Sequence, residues 1–253
     1  MEQELVITRK QWRRKSIFAF VIFFVLMAAG ICTWMYVKNL PPDNGLLGGV
    51  QPPLRKVLDL NGSIFGKALH NQRLAKAYPL SAAVRHPRVN GNIGMGNDFD
   101  TADWRLYVIK SAGDTLALTL DDIKKLPKTE IVFDFKCIEG WSQVTHWGGV
   151  KFSDFIAAYG LNSESSMQYV GMSTPDNEYY VGIDMASALH PQTLLCYEMN
   201  GKPLPMNQGF PLRMIIPVKY GIKSIKRIGT MYFDNERPPD YWFERGYDYY
   251  SGL

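Results

Sequence analysis

The stretch Phe133-Asp134-Phe135-Lys136-Cys137-Ile138-Glu139-Gly140-Trp141-Ser142 organises this chain. Aromatic and β-branched residues lead into it from Glu130, which predicts a strand that carries Cys137 to its C-terminal end. Glu-Gly-Trp-Ser then reads as a turn, with Gly140 free to fold the backbone back. A thiol at a strand end can face a cleft, and its thiolate is a soft metal ligand. A lone cysteine is more often a small buried hydrophobe, so the rest of the chain has to supply the context.

The chain has 253 residues, 46% hydrophobic and 21% charged, enough for one well-cored domain plus an appendage. Its net charge is +4, of which +3 falls in the first 15 residues. A nucleic-acid binder carries its basic excess on the folded domain, so that class is excluded. Cys32, Cys137 and Cys196 form no C-x-x-C pair, and His70, His86, His146 and His190 are scattered. That spacing fits neither a disulfide framework nor a zinc, iron–sulfur or covalent haem site. A metal here would need ligands that the protein does not supply.

Ser16 to Val37 is an uncharged run of 22 residues. At ~1.5 Å per residue it matches a bilayer's hydrocarbon core. Arg13, Arg14 and Lys15 precede it and Lys38 follows, which predicts a cytoplasmic N-terminus and an exported remainder. A cleaved signal peptide would have a shorter apolar region and an A-x-A-like site, so an uncleaved anchor is the expectation. Arg13-Arg14 also resembles, loosely, a twin-arginine export signal. The expected organisation is a basic tail (1–15), a transmembrane anchor (16–37), a Pro/Gly-rich linker (38–53) and a domain (54–253).

Within that domain, one or two short helices interrupted at Asn61-Gly62 are expected over 54–79. A Gly/Asn loop follows at Arg88–Asn97, then a strand from Trp104. Thr119 is expected to cap a short helix, and Ser153 a second one ending at Gly160. Strands are expected at 168–173, 179–183 and 193–199 around a short helix at 184–189, with Asn200-Gly201 as a hairpin turn. This irregular mixture is α+β rather than doubly wound. Four basic residues, Arg213, Lys219, Lys223 and Lys226, lie around Gly221. They suit either a phosphate cradle or a solvated basic face.

The order C-x-E-x-W-S, YEMNGKPLP, G-x-P-L-R, PVKYGIKSIK, ERPPDYW, collinear over roughly 88–250, resembles the molybdopterin oxidoreductases of the sulfite oxidase type. The similarity leans toward the branch of bacterial periplasmic methionine sulfoxide reductases. The resemblance implies a sulfite oxidase-type molybdopterin-binding domain behind a single transmembrane helix, holding molybdenum-molybdopterin. It implies Cys137 as the thiolate ligand of molybdenum and Arg213 as the grip on the pterin phosphate. Gly221, Ile222 and Lys223 would complete the pocket. Asn90, Asn92, Ser173 and Gln208 fall near further cofactor contacts, and Glu139 and Tyr197 near the proton and substrate groups. Cofactor sulfurs would answer the shortage of protein ligands. The implied activity is oxygen-atom transfer to or from an S-oxide or N-oxide such as oxidised methionine, in the periplasm. With no second redox centre encoded, a membrane haem-b protein or a cytochrome c is the expected electron partner. Competing readings are a sulfite-oxidising enzyme, and an anchored binding module that kept the fold without the chemistry.

Overall fold

A computed structural model of the chain describes residues 8–43, 49–68, 73–96 and 100–252. It divides into two compact units, Met1–Val57 and Leu58–Leu253.

The first unit is built on helix α1 (Arg9–Lys38), none of whose residues is buried. Thr8 opens it with a capping box: its side chain accepts from the Gln11 amide while Gln11 returns a bond to the Thr8 amide. The helix is long and apolar enough to cross a membrane by length and composition, as a signal sequence also would be. Helix α2 (Pro52–Ala68) starts in this unit and continues into the second. It runs unbroken through Asn61-Gly62, where the sequence predicts an interruption. A Cβ at Gly62 would stand 3.4 Å from the Tyr250 ring, ordinary van der Waals contact.

The second unit holds two sheets. Strand β1 (Leu106–Ile109) alternates buried and exposed residues and pairs with β2 (Thr115–Leu118). Thr119 and Asp122 form a reciprocal capping box that starts α3 (Leu120–Lys124), worth about 1 kcal/mol. Strands β3 (Lys128–Lys136) and β4 (Ser142–Lys151) form an antiparallel hairpin. Helix α4 (Phe152–Ala158) begins two residues earlier than expected. Lys151 is its N-cap and Ser153 lies inside it, because Phe152 and Phe155 are the residues the core takes in. Strands β5 (Tyr169–Ser173) and β6 (Tyr180–Asp184) follow, and Asp184 caps α5 (Met185–Ala188) through the Ser187 amide. Strand β7 (Leu194–Met199) turns at Asn200-Gly201, both at positive φ, into β8 (Lys202–Pro203). Then come β9 (Arg213–Ile215) and β10 (Thr230–Asp234).

One sheet has the order β2-β1-β10-β5-β6, with β1 and β10 parallel. The other runs β3-β4-β7-β8, with β9 also on β7. One buried cluster draws on both: Leu106, Val170 and Met231 from the first, Leu195 and Met214 from the second, with Phe152 and Phe155 of α4. Each such side chain contributes about 1.5–3 kcal/mol by leaving water. The opposite face of the second sheet carries a smaller cluster that includes Phe133, Phe135, Trp147 and Cys196. Alternation along β7 therefore sends Tyr197 to the large cluster and Cys196 to the small one. The small cluster backs the site.

Candidate active site around Cys137

Cys137 follows the last residue of β3. Its amide donates to Trp141 O (2.9 Å), and Gly140, at φ 88°, donates to Cys137 O (3.1 Å). The left-handed glycine closes the turn and leaves Cys137 only 4% exposed on an open pocket of about 660 Å³. Burial pushes the thiol's pKa above its ordinary value, opposed by hydrogen bonds from the Glu139 backbone and the Asn90 side chain. Glu139 lines the same pocket and is exposed, its carboxylate accepting from the Trp141 indole N–H at 3.0 Å.

Opposite the thiol the chain brings in Gly221, Ile222, Ser224 and Lys226. A Cβ on Gly221 would fall 2.5 Å from the Phe135 ring, so only glycine lets this loop press against the end of β3. Tyr179 holds the loop by donating to Ile222 O.

The four basic residues separate by their counter-charges. Lys219 donates to Asp184 at 2.6 Å, and Lys223 is paired with Asp240, both nearly fully buried. Lys223 also donates to Gly182 O and is not among the residues lining the pocket, so its ammonium is already matched by protein groups. Its pairing fixes the C-terminal segment. Arg213 and Lys226 have no carboxylate within ion-pair reach among the described residues. Arg213 is 1% exposed and lies over Trp147, guanidinium to ring centroid 4.7 Å. Nη1 donates to Gln208 O and Oε1, Nη2 to Ser224 O, and Nε is buried without a partner. Burial lowers Arg213 to about 10. Lys226 donates to the main-chain oxygens of Asn90, Gly91 and Asn207, and burial with the nearby Arg213 charge lowers it to about 7.

Of the residues singled out from sequence, Cys137, Glu139, Asn90, Gly221 and Ile222 meet at the pocket. Gln208 sits behind them, buried, its Nε2 donating to Pro87 O and Arg88 O while Oε1 takes the Arg213 bond. Asn92 is exposed and is not among the lining residues. Ser173 is turned to Asn177 Oδ1 at 2.8 Å, and it is the next residue, Thr174, that packs against Gly94 of the Asn/Gly loop. Tyr197 is 4% exposed in the large cluster, on the sheet face away from Arg213. The site list drawn from sequence lacks Ser224, Lys226, Trp242 and Tyr247, all of which line the pocket. Lys226 had one visible signal, membership of the basic group; the two aromatics had only their place in the ERPPDYW region.

Residues 93–242 match the oxidoreductase molybdopterin binding domain family. The chain belongs to that family. It is 35% identical over 205 residues to a protein of Azospira oryzae provisionally named as the protein-methionine-sulfoxide reductase subunit YedZ1, covering 80% of this chain and 77% of that one. It is 32% identical to the protein-methionine-sulfoxide reductase catalytic subunit MsrP of Campylobacter jejuni, covering 59% and 55%. It is 29% identical to the mitochondrial sulfite oxidase of Rattus norvegicus, covering 61% and 33%. Several relatives are thus matched over little more than half their length or less.

Membership makes the chain a molybdopterin oxidoreductase with a sulfite oxidase-like fold and implies a molybdenum cofactor. The donor set fits that group. No cluster of three or more His, Cys, Asp or Glu able to hold a metal exists among the described residues, so most ligands would come with the cofactor. Cys137 offers one soft sulfur. Arg213, with its unpartnered Nε, and Lys226 are two buried cations that an anionic phosphate would compensate.

Proposed function

We propose that the chain is a membrane-anchored oxygen-atom transferase that holds molybdenum-molybdopterin and reduces an S-oxide or N-oxide, oxidised methionine among them. The observation that carries this reading is an open pocket lined by both the Cys137 thiol and Lys226, with Arg213 buried behind the lining residue Ser224, neither cation having a carboxylate within ion-pair reach among the described residues. The methionine-sulfoxide reductase names of several relatives support the reductive direction.

The Cys137 thiolate would ligate the metal, Asn90 would steady its sulfur, and Arg213 and Lys226 would hold the phosphate, with Gln208 fixing the guanidinium. The bound molybdenum would supply two-electron exchange of an oxygen atom. Reducing a sulfoxide to a thioether and water takes two electrons and two protons. Glu139, exposed at the pocket and hydrogen-bonded to Trp141, would pass protons. Trp242 and Tyr247, edge to face at 5.1 Å, would give the apolar arms of a sulfoxide a surface to rest on. Electrons would come from a partner, a membrane haem-b protein or a cytochrome c, with α1 keeping the domain beside the membrane and exported to the periplasmic side. Organisation into tail, anchor, linker and domain follows the same reading.

The test is metal and pterin content with turnover. Purified protein from cofactor-producing cells should hold near one molybdenum per chain and reduce methionine sulfoxide with a reduced dye as donor. Cys137→Ser should change the metal's spectrum and abolish turnover. Loaded protein that oxidises sulfite and leaves sulfoxides untouched would reverse the direction assigned here, and protein that never takes up the cofactor would overturn the assignment.

A further inference from the structure

Helix α2 (Pro52–Ala68) is amphipathic, and it packs the opposite way to an ordinary surface helix. At ~100° per residue, Leu54, Val57, Leu60 and Ile64 fall within roughly 120° of one another. All four are exposed, Val57, Leu60 and Ile64 each by more than half. Asp59 and Gly62, on roughly the opposite side, make the contacts to the folded domain. Asp59 pairs with Arg237 at 3.1 Å, and Gly62 receives the Tyr250 ring. A surface helix normally buries its apolar stripe and solvates its charges. Here the charged side meets protein, and the apolar side is left exposed among the described residues.

The start of α2 is tied close to the end of α1. Arg55, in its first turn, pairs with Asp43 at 2.6 Å, and the Asp43 amide donates to Val50 O at 2.9 Å. Asp43 is only five residues past Lys38, a reach of at most about 17 Å. If α1 spans a bilayer, the first turn of α2 has no room to leave its surface. Lys56 borders the apolar stripe, a place from which a lysine reaches headgroups while the stripe enters the acyl boundary. We propose that α2 is a membrane-interface helix, its Leu54–Val57–Leu60–Ile64 stripe lying in the surface of a phospholipid bilayer. The inference rests on the reading of α1 as a membrane span.

Nitroxide accessibility tests it on the full chain in nanodiscs of three parts phosphatidylcholine to one part phosphatidylglycerol. Labels go on Leu60→Cys, Ile64→Cys, Ser63→Cys and Val25→Cys in a Cys32→Ser background, Cys137 and Cys196 being buried. All four sites are exposed, so folding should survive, with circular dichroism as the check. The ratio of oxygen to nickel-chelate collisions should be several-fold higher at 60 and 64 than at 63, and highest at 25. Equal, water-like ratios at 60, 63 and 64 beside a lipid-like 25 would defeat the interface helix and leave the anchor standing. A water-like ratio at 25 as well would bring down both. Labels at 60 and 64 shielded from both reagents would mean that protein covers the stripe, a second copy or another subunit, and would overturn the lipid assignment.

Discussion

Arg213 lies over Trp147 with 4.7 Å between guanidinium and ring centroid, wholly buried, and its Nε finds no partner. A buried cation without a counter-charge costs stability unless an anion arrives. Arg213→Met should therefore leave the cofactor-free protein as stable as before, or more so. Loading should suffer by about tenfold or more, since losing a buried charge contact costs roughly 2–5 kcal/mol of binding. Thermal melting of apo-protein, set beside molybdenum content, checks the pair. A lowered melting point with normal loading would assign Arg213 a purely structural role.

Lys226 predicts a pH dependence. Its pKa in the folded, cofactor-free protein is lowered to about 7, below the unfolded value of ~10.4. Between those values the unfolded chain binds more protons, so this group makes the apo-protein more stable as pH rises from 7 toward 10. Anion binding favours the protonated form, so affinity should run the other way. Binding of inorganic phosphate should weaken above pH 7 by up to about tenfold per unit. Calorimetric titrations at pH 6, 7 and 8 would show the slope, and Lys226→Met should flatten it.

Gly221 should not tolerate a side chain. Gly221→Ala places a methyl 2.5 Å from the Phe135 ring, directly behind Cys137. Overpacking of this kind costs about 1–3 kcal/mol. Urea unfolding should show that loss, together with reduced cofactor content. Gly113→Ala is a poorer control because of its positive φ, whereas Gly96 has open space at its Cβ and should accept alanine at little cost.

Lys223 and Asp240 form a buried ion pair that fastens the C-terminal segment. Lys223→Met strands the carboxylate and should cost about 3–5 kcal/mol, whereas Lys223→Met with Asp240→Leu should recover much of it. Chemical denaturation of the two variants gives the comparison. Cofactor content in the double variant should stay near that of the parent, because neither ionised group faces the pocket.

Glu139→Gln keeps an acceptor for the Trp141 indole and removes the proton. Turnover should fall by about 10²–10⁴ with metal content unchanged if the carboxyl passes protons. Steady-state rates beside metal analysis decide it, and an unchanged rate would leave Glu139 as a support for the turn.

Much of this protein was legible in one dimension because its signals are local. Strand periodicity and the Gly140 turn placed Cys137 at the end of β3, and Thr119 capped its helix as its residue type requires. Asn200-Gly201 made the hairpin, and the collinear motifs fixed the family before any distance was known. The basic group was visible too, but its members could not be told apart. Lys223 and Lys226 are three residues apart, and only the fold puts Asp240 beside one and the carbonyls of Asn90 and Gly91 beside the other. Tyr197 looked available in sequence, yet the pleat of β7 turned it into the core. Hydrophobic pattern and turn chemistry act between near neighbours, so the chain alone determined its elements and its kinship. Which charge is compensated, and which is left facing a pocket, depends on partners many residues away, and only the tertiary structure decided that.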